Sequence, residues 1–151
     1  MGKPSRIEIP AIGVDARVVP VGLKANRDMQ TPRAREKFSD PLLAGWYKLA
    51  RRPGENGPSV IVGHVDGIAG ADVFANLHKL KPGQKVTVVD SATNPVEFVV
   101  KRLERTPKTE VDWKRILNTK GASLWLFTCG GTFDQRTRHY RENLIVETVR
   151  A

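Results

Sequence analysis

Apolar residues fall in short runs split by turn formers, the pattern of a β protein. Arg6 to Leu23 reads as two short strands. Ile7, Ile9 and Ile12 carry the apolar face of the first, and Pro10 with Gly13 breaks the run. Ala16 to Leu23 is rich in β-branched residues, with Pro20 favouring an edge or a bend. The polar stretch KANRDMQTPRAREKFSDP predicts a long surface connection with at most one short strand. LLAGWYKL turns apolar again, and ARRPGENGP is a turn by its Pro-Gly and Asn-Gly pairs. Ser59 to Val65 is the next strand, through Val60, Ile61 and Val62.

Downstream, a Gly-rich loop leads to Asp72, placed to cap a short helix carrying Val73, Phe74, Leu77 and Leu80. KVTVVD and PVEFVVKRLERT, joined by SATN, read as a hairpin with a long second strand. TEVDWKRILNTKG predicts a short helix with Trp113, Ile116 and Leu117 on one side and Gly121 near its end. SLWLFTC and NLIVETV are the last two strands. Seven or eight short strands with at most two short helices fit an all-β barrel or sandwich better than alternating βαβ units.

Composition narrows the class. The chain has 151 residues, 40% hydrophobic and 27% charged, as expected of one globular domain with a core of its own. No apolar run approaches the roughly 20 residues of a membrane helix, and MGKPSR leads straight into a strand without a signal peptide. The expectation is a single domain over residues 1–151, with any membrane anchor lying upstream of this sequence. One cysteine allows no internal disulfide, and with three histidines it makes a structural zinc site a poor fit. The net charge of +9 suits an anionic partner such as nucleic acid, a phospholipid surface or an acidic wall polymer. The basic residues are spread along the chain, which equally describes a solvated surface.

The candidate chemistry sits at strand ends. Cys129 closes an apolar strand, and Gly130-Gly131 open a loop right after it. A small buried thiol is the ordinary alternative. Gly130, without a side chain, can offer an open N–H to an oxyanion. A cysteine nucleophile needs a base or an ion-pair partner. His64 has the same strand-then-loop layout, whereas His78 lies beside lysines and His139 lies in the polar loop DQRTRHYREN. Arg136, Arg138 and Arg141 follow the cysteine, and a guanidinium can donate to a developing oxyanion. Arg138 shares its alternation with Tyr140, Leu144 and Val146. Asp66, two residues past His64, reads as a turn aspartate.

Leu126-Phe127-Thr128-Cys129, after Trp125, resembles the Thr-Leu-X-Thr-Cys signature of sortases, with tryptophan in place of the first threonine. VIVGHVD resembles the sortase strand that ends in the catalytic histidine, and Arg6 to Leu23 resembles the opening strands of that domain. The similarity runs in order across nearly the whole chain, and GHVD followed by TCGG is most similar to the actinobacterial class E/F group, class F above all. The resemblance implies a closed eight-stranded β-barrel and a cysteine transpeptidase that cuts a Leu-Pro-X-Thr-Gly type sorting signal after threonine. It implies Cys129 as nucleophile, His64 as proton donor to the leaving amine, and an arginine at the oxyanion. Arg138 is preferred for that arginine on alternation, with Arg141 as the alternative; Thr128 and Gly130 would shape the oxyanion site. No cofactor and no metal are expected, since no compact carboxylate cluster appears that would bind calcium. Implied partners are secreted proteins bearing the sorting signal and an amine acceptor of the cell wall or a pilin. The expected state is a monomer, extracytoplasmic and anchored at the cell-surface side of the plasma membrane, with no nucleic acid.

Other readings fit less well. Papain-like proteases place Cys before His, the reverse of this chain, and the Ser-His-Gly-Cys type motif of L,D-transpeptidases is absent. A non-enzymatic basic β-barrel binding nucleic acid or an anionic wall polymer explains the charge and leaves the His64/Cys129 layout unexplained.

Overall fold

The computed structural model describes residues 2–22, 31–33, 35–37, 39–107, 110–128, 133–134, 139–140 and 142–151, with backbone alone at 133–134, 139–140 and 142. Eight strands close into a barrel. In chain order they are β1 (Pro4–Ile9), β2 (Val14–Val21), β3 (Leu43–Tyr47), β4 (Gly57–Gly63), β7 (Lys85–Asp90), β8 (Pro95–Pro107), β9 (Ala122–Thr128) and β12 (Glu142–Arg150). Two minor hairpins add β5 (Asp66–Gly67) with β6 (Gly70–Ala71), and β10 (Phe133–Asp134) with β11 (His139–Tyr140). Around the barrel the order is β1-β2-β3-β4-β9-β12-β8-β7, which leaves no free edge.

Six of the eight seams are antiparallel; β2–β3 and β4–β9 are parallel. A parallel pair needs a crossover of a dozen residues or more. The polar stretch after β2 supplies the first crossover, and everything between β4 and β9 supplies the second.

Alternation along β9 divides the core in two. Leu124 and Leu126 point into the barrel with Ile7, Ile9, Ile61, Phe98 and Val146. Trp125 and Phe127 face outward with Val60, Val62 and Ile145, under α1 (Trp113–Leu117). Ile116 of α1 is fully buried there, and Trp113 stacks on Phe127 with centroids 4.9 Å apart and planes at 8°. Burying each such side chain is worth about 1.5–3 kcal/mol, so both faces of β9 contribute to the fold. Asp112 caps α1 by accepting from Arg115 N at 3.0 Å.

Two local expectations are corrected. Leu117 is exposed, since a five-residue helix presents only Ile116 fully to the barrel. Residues 73–76 form turns followed by a 3-10 turn at Leu77–Lys79, although Val73, Phe74, Leu77 and Leu80 are all buried as the spacing required. The Asp72 carboxylate binds the N–H of Val73 next to it, the wrong geometry for a helix cap, which reaches two or three residues on. Among the described residues no helix is long and apolar enough to cross a membrane.

Candidate active site

The parallel seam between β4 and β9 runs in step from Gly57↔Ala122 to Gly63↔Thr128. Both strands therefore leave the barrel at the same rim, β4 into His64 and β9 into residue 129. Cys129, Gly130, Arg138 and the alternative Arg141 lie outside the described residues, as does Arg136. His139 is described by its backbone in β11, a short strand where the sequence predicts a loop. His78 is exposed.

Gly63 is required where it stands. A Cβ there would come within 2.6 Å of Phe74 Cδ2 and 2.7 Å of Val73 Cγ1. The chain after His64 doubles back onto it, with Phe74 N donating to His64 O at 2.9 Å and Asp72 N donating to Val65 O at 2.9 Å. The β5–β6 hairpin fills this excursion, with Asp66 paired to Ala71 as a strand residue. Its tip carries Ile68, 86% exposed.

Thr128 is buried, and its Oγ1 accepts from Leu144 N at 3.1 Å, joining the end of β9 to β12. That bond fixes the last described residue before the cysteine.

His64 is half-buried, and its Nε2 lies 2.7 Å from Pro32 O. A carbonyl has no proton to give, so Nε2 carries the hydrogen and donates. Pro32 is buried against β3, where a Cβ on Gly45 would meet Pro32 Cδ at 3.0 Å. The polar stretch expected to be a surface connection thus sends one residue inward to the histidine. Arg35 N donates to Asp72 Oδ2 at 2.7 Å, and Ala69 N donates to Arg35 O at 3.3 Å. Pro32 and Asp72 are contributions to the site that sequence reading missed. Asp72 was visible as an acceptor with the wrong donors assigned, and Pro32 had no signal, because its partner is 32 residues away.

Among the described residues no three His, Cys, Asp or Glu side chains gather closely enough to hold a metal ion. The site as described offers an imidazole with one nitrogen engaged, at the rim where β9 ends in Thr128, one residue before the cysteine in sequence. That set suits acyl transfer by a cysteine.

The Sortase domain family description matches residues 7–151. Comparison with curated protein sequences gives no match. Among solved structures, sortase C-1 from Actinomyces oris matches with TM-score 0.69 at 21% identity, over 97% of this chain and 72% of that one. Sortase A from Corynebacterium diphtheriae matches with TM-score 0.70 at 19% identity, over 99% of this chain and 60% of that one. A Clostridium perfringens sortase D5 transpeptidase matches with TM-score 0.66 at 20% identity, over 99% and 79%. At such identities the likeness speaks for the barrel, and the family match speaks for membership.

Proposed function

The chain belongs to the sortase domain family, a family of cysteine transpeptidases, and on that premise we propose that it cuts a Leu-Pro-X-Thr-Gly type sorting signal after threonine and joins the threonine to an amine. Cys129 is the nucleophile, His64 the proton donor, and Arg138, or alternatively Arg141, the oxyanion partner, with Thr128 and Gly130 shaping that site. The observation that carries this reading is the Gly63↔Thr128 register, which ends two parallel neighbours at one rim, each followed by a reactive residue type.

The thiolate attacks the threonine carbonyl carbon, and the carbonyl electron pair moves onto oxygen. A guanidinium and a backbone N–H meet that oxyanion. The carbon–nitrogen bond breaks as the imidazolium protonates the departing amine. A thioester remains, which stores the acyl bond energy, so no ATP or redox cofactor is required. An incoming amine attacks the thioester, gives its proton to the neutral imidazole, and releases the thiolate. Water in its place gives hydrolysis.

The whole chain serves as one catalytic domain, of class E/F type with class F preferred on GHVD and TCGG. It acts extracytoplasmically, at the cell-surface side of the plasma membrane through an anchor upstream of this sequence, on secreted proteins carrying the signal. The acceptor amine belongs to the wall or a pilin, and the enzyme works as a monomer. The net charge of +9 suits contact with an anionic envelope.

A peptide library varied around Leu-Pro-X-Thr-Gly, incubated with an amine acceptor and read by mass spectrometry beside Cys129→Ala, tests this. A product joined at threonine and lost in the variant is expected. Absence of any acyl-enzyme, together with a thiol that resists alkylation, overturns it. Arg138→Ala and Arg141→Ala assign the arginine: the true partner costs about 10²–10³ in kcat, the other little.

A further inference from the structure

One group of contacts holds a chain segment against His64. Residues 31–33 and 35–37 lie on the way from β2 to β3 and meet the site at Pro32 O, 2.7 Å from His64 Nε2. The segment is braced from within: Asp40 accepts from Glu36 N at 3.2 Å, Lys37 N at 3.0 Å and Arg33 Nη1 at 3.1 Å. At one point it is seated, where buried Pro32 lies against Gly45. At another it is clamped, where Arg35 N donates to Asp72 at 2.7 Å and Arg35 O accepts from Ala69 N. Between seat and clamp it presents the Pro32 carbonyl to His64 Nε2.

Asp72 is well placed to be the clamp. It is 6% exposed, and its two carboxylate oxygens divide the work: Oδ1 accepts from Val73 N and Oδ2 from Arg35 N. A buried carboxylate is retained only where donors satisfy it. One of its donors belongs to the loop that folds back on His64, the other to the strap. The aspartate thus ties the strap that meets the imidazole to the loop that bonds back to the His64 backbone.

Resting on the reading of His64 as proton donor, we infer that this strap is a positioning device. Asp72 clamps it, the Pro32 carbonyl engages Nε2, and Nδ1 is left as the nitrogen that gives the proton to the departing amine and later takes one from the incoming amine. In the neutral ring Nε2 keeps its hydrogen and Nδ1 is bare. In the imidazolium both nitrogens carry hydrogens, and only the Nδ1 proton is free to move. A hydrogen bond at one ring nitrogen also limits rotation of the imidazole, which sets the direction of proton transfer. Asp72 touches neither substrate nor reacting atoms and acts through the strap.

The test uses the full chain labelled with ¹⁵N-histidine, with His64→Ala assigning the resonances. In the unaltered protein the His64 Nε2–H proton is protected from solvent exchange and visible, while Nδ1 resonates as an unprotonated nitrogen in the neutral ring. In Asp72→Ala the protected proton is lost and kcat for peptide transfer falls about tenfold or more, with KM within twofold. Asp72→Asn keeps one accepting oxygen and falls between. Gly45→Ala, whose Cβ would crowd Val21 Cγ1 at 2.9 Å and Pro32 Cδ at 3.0 Å and lies against neither His64 nor Asp72, reproduces the loss of protection and of kcat; Gly45→Ala beside Val21→Ala,Gly45→Ala, which relieves the Val21 contact and keeps the one with Pro32, decides the matter should Asp72→Ala not fold. An Nε2–H that exchanges freely in the unaltered protein overturns the inference, and so does protection that persists in both variants. If His64→Ala retains full transfer activity while the spectra behave as expected, the strap stands as a structural feature and the proton-donor reading is what fails.

Discussion

Asp72 and Asp90 are both buried aspartates that spend their carboxylates on backbone N–H groups, and they serve opposite ends of the molecule. Asp90 sits in the β7–β8 turn, where it accepts from Ala92 N, Asn94 N and Asn94 Nδ2 at 2.9, 2.8 and 3.2 Å, and from Gly2 N at 3.0 Å. Three of those four donors lie within four residues. Asp72 accepts from its neighbour Val73 and from Arg35, 37 residues away. The first aspartate closes a hairpin; the second fastens one piece of chain across another beside a histidine. The same chemistry closes a turn and pins the N-terminal segment in one place, and joins two segments beside a histidine in the other.

Paired substitutions break that comparison most sharply. Asp72→Ala is expected to cost about tenfold or more in kcat while Asp90→Ala leaves kcat within twofold, both read by the peptide transfer assay. Thermal melts should rank the other way for the hairpin: Asp90→Ala lowers Tm measurably, because three part-buried backbone N–H groups lose their acceptor. Acid titration sharpens it further. Hydrogen bonds from Asn94, then Gly2, hold the Asp90 carboxyl down from 3.8 to about 2. A depressed carboxyl contributes stability that is whole above its unfolded value and is lost as pH falls through the folded one. Unfolding monitored by circular dichroism should therefore show stability dropping between pH 4 and 2, and a shallower drop in Asp90→Asn. The smallest effect belongs to a third aspartate: Asp112→Ala, removing the cap of α1, costs about 1 kcal/mol by denaturant titration and leaves kcat unchanged.

The same division explains what could be read from the chain alone. The β7–β8 hairpin was legible because its turn residues and alternation are contiguous. The two-faced burial of β9 was legible from Leu124 to Thr128, all of them buried. The placement of His64 at a strand end was legible from VIVGH. The strap was hidden, since a polar stretch around Pro32 carries no periodicity and its two partners are fixed only by the closed barrel. The helix expected after Asp72 failed for a related reason. Its apolar spacing satisfied burial, while the capping oxygen was drawn to a donor from another part of the chain.

The parallel seam between β4 and β9 has a kinetic meaning as well. Gly57 pairs with Ala122, so closing the seam means closing a loop of nearly half the molecule. Loop-closure entropy must be met before those contacts repay it, and such topologies fold in milliseconds to seconds where helical bundles take far less. Gly63 and Thr128 end this late-forming seam, so the nascent chain has no assembled rim until the second half of the sequence has joined the first. Recovery of activity during refolding should then lag behind the β7–β8 hairpin, and the ability to form a thioester becomes a timer for completion of the barrel.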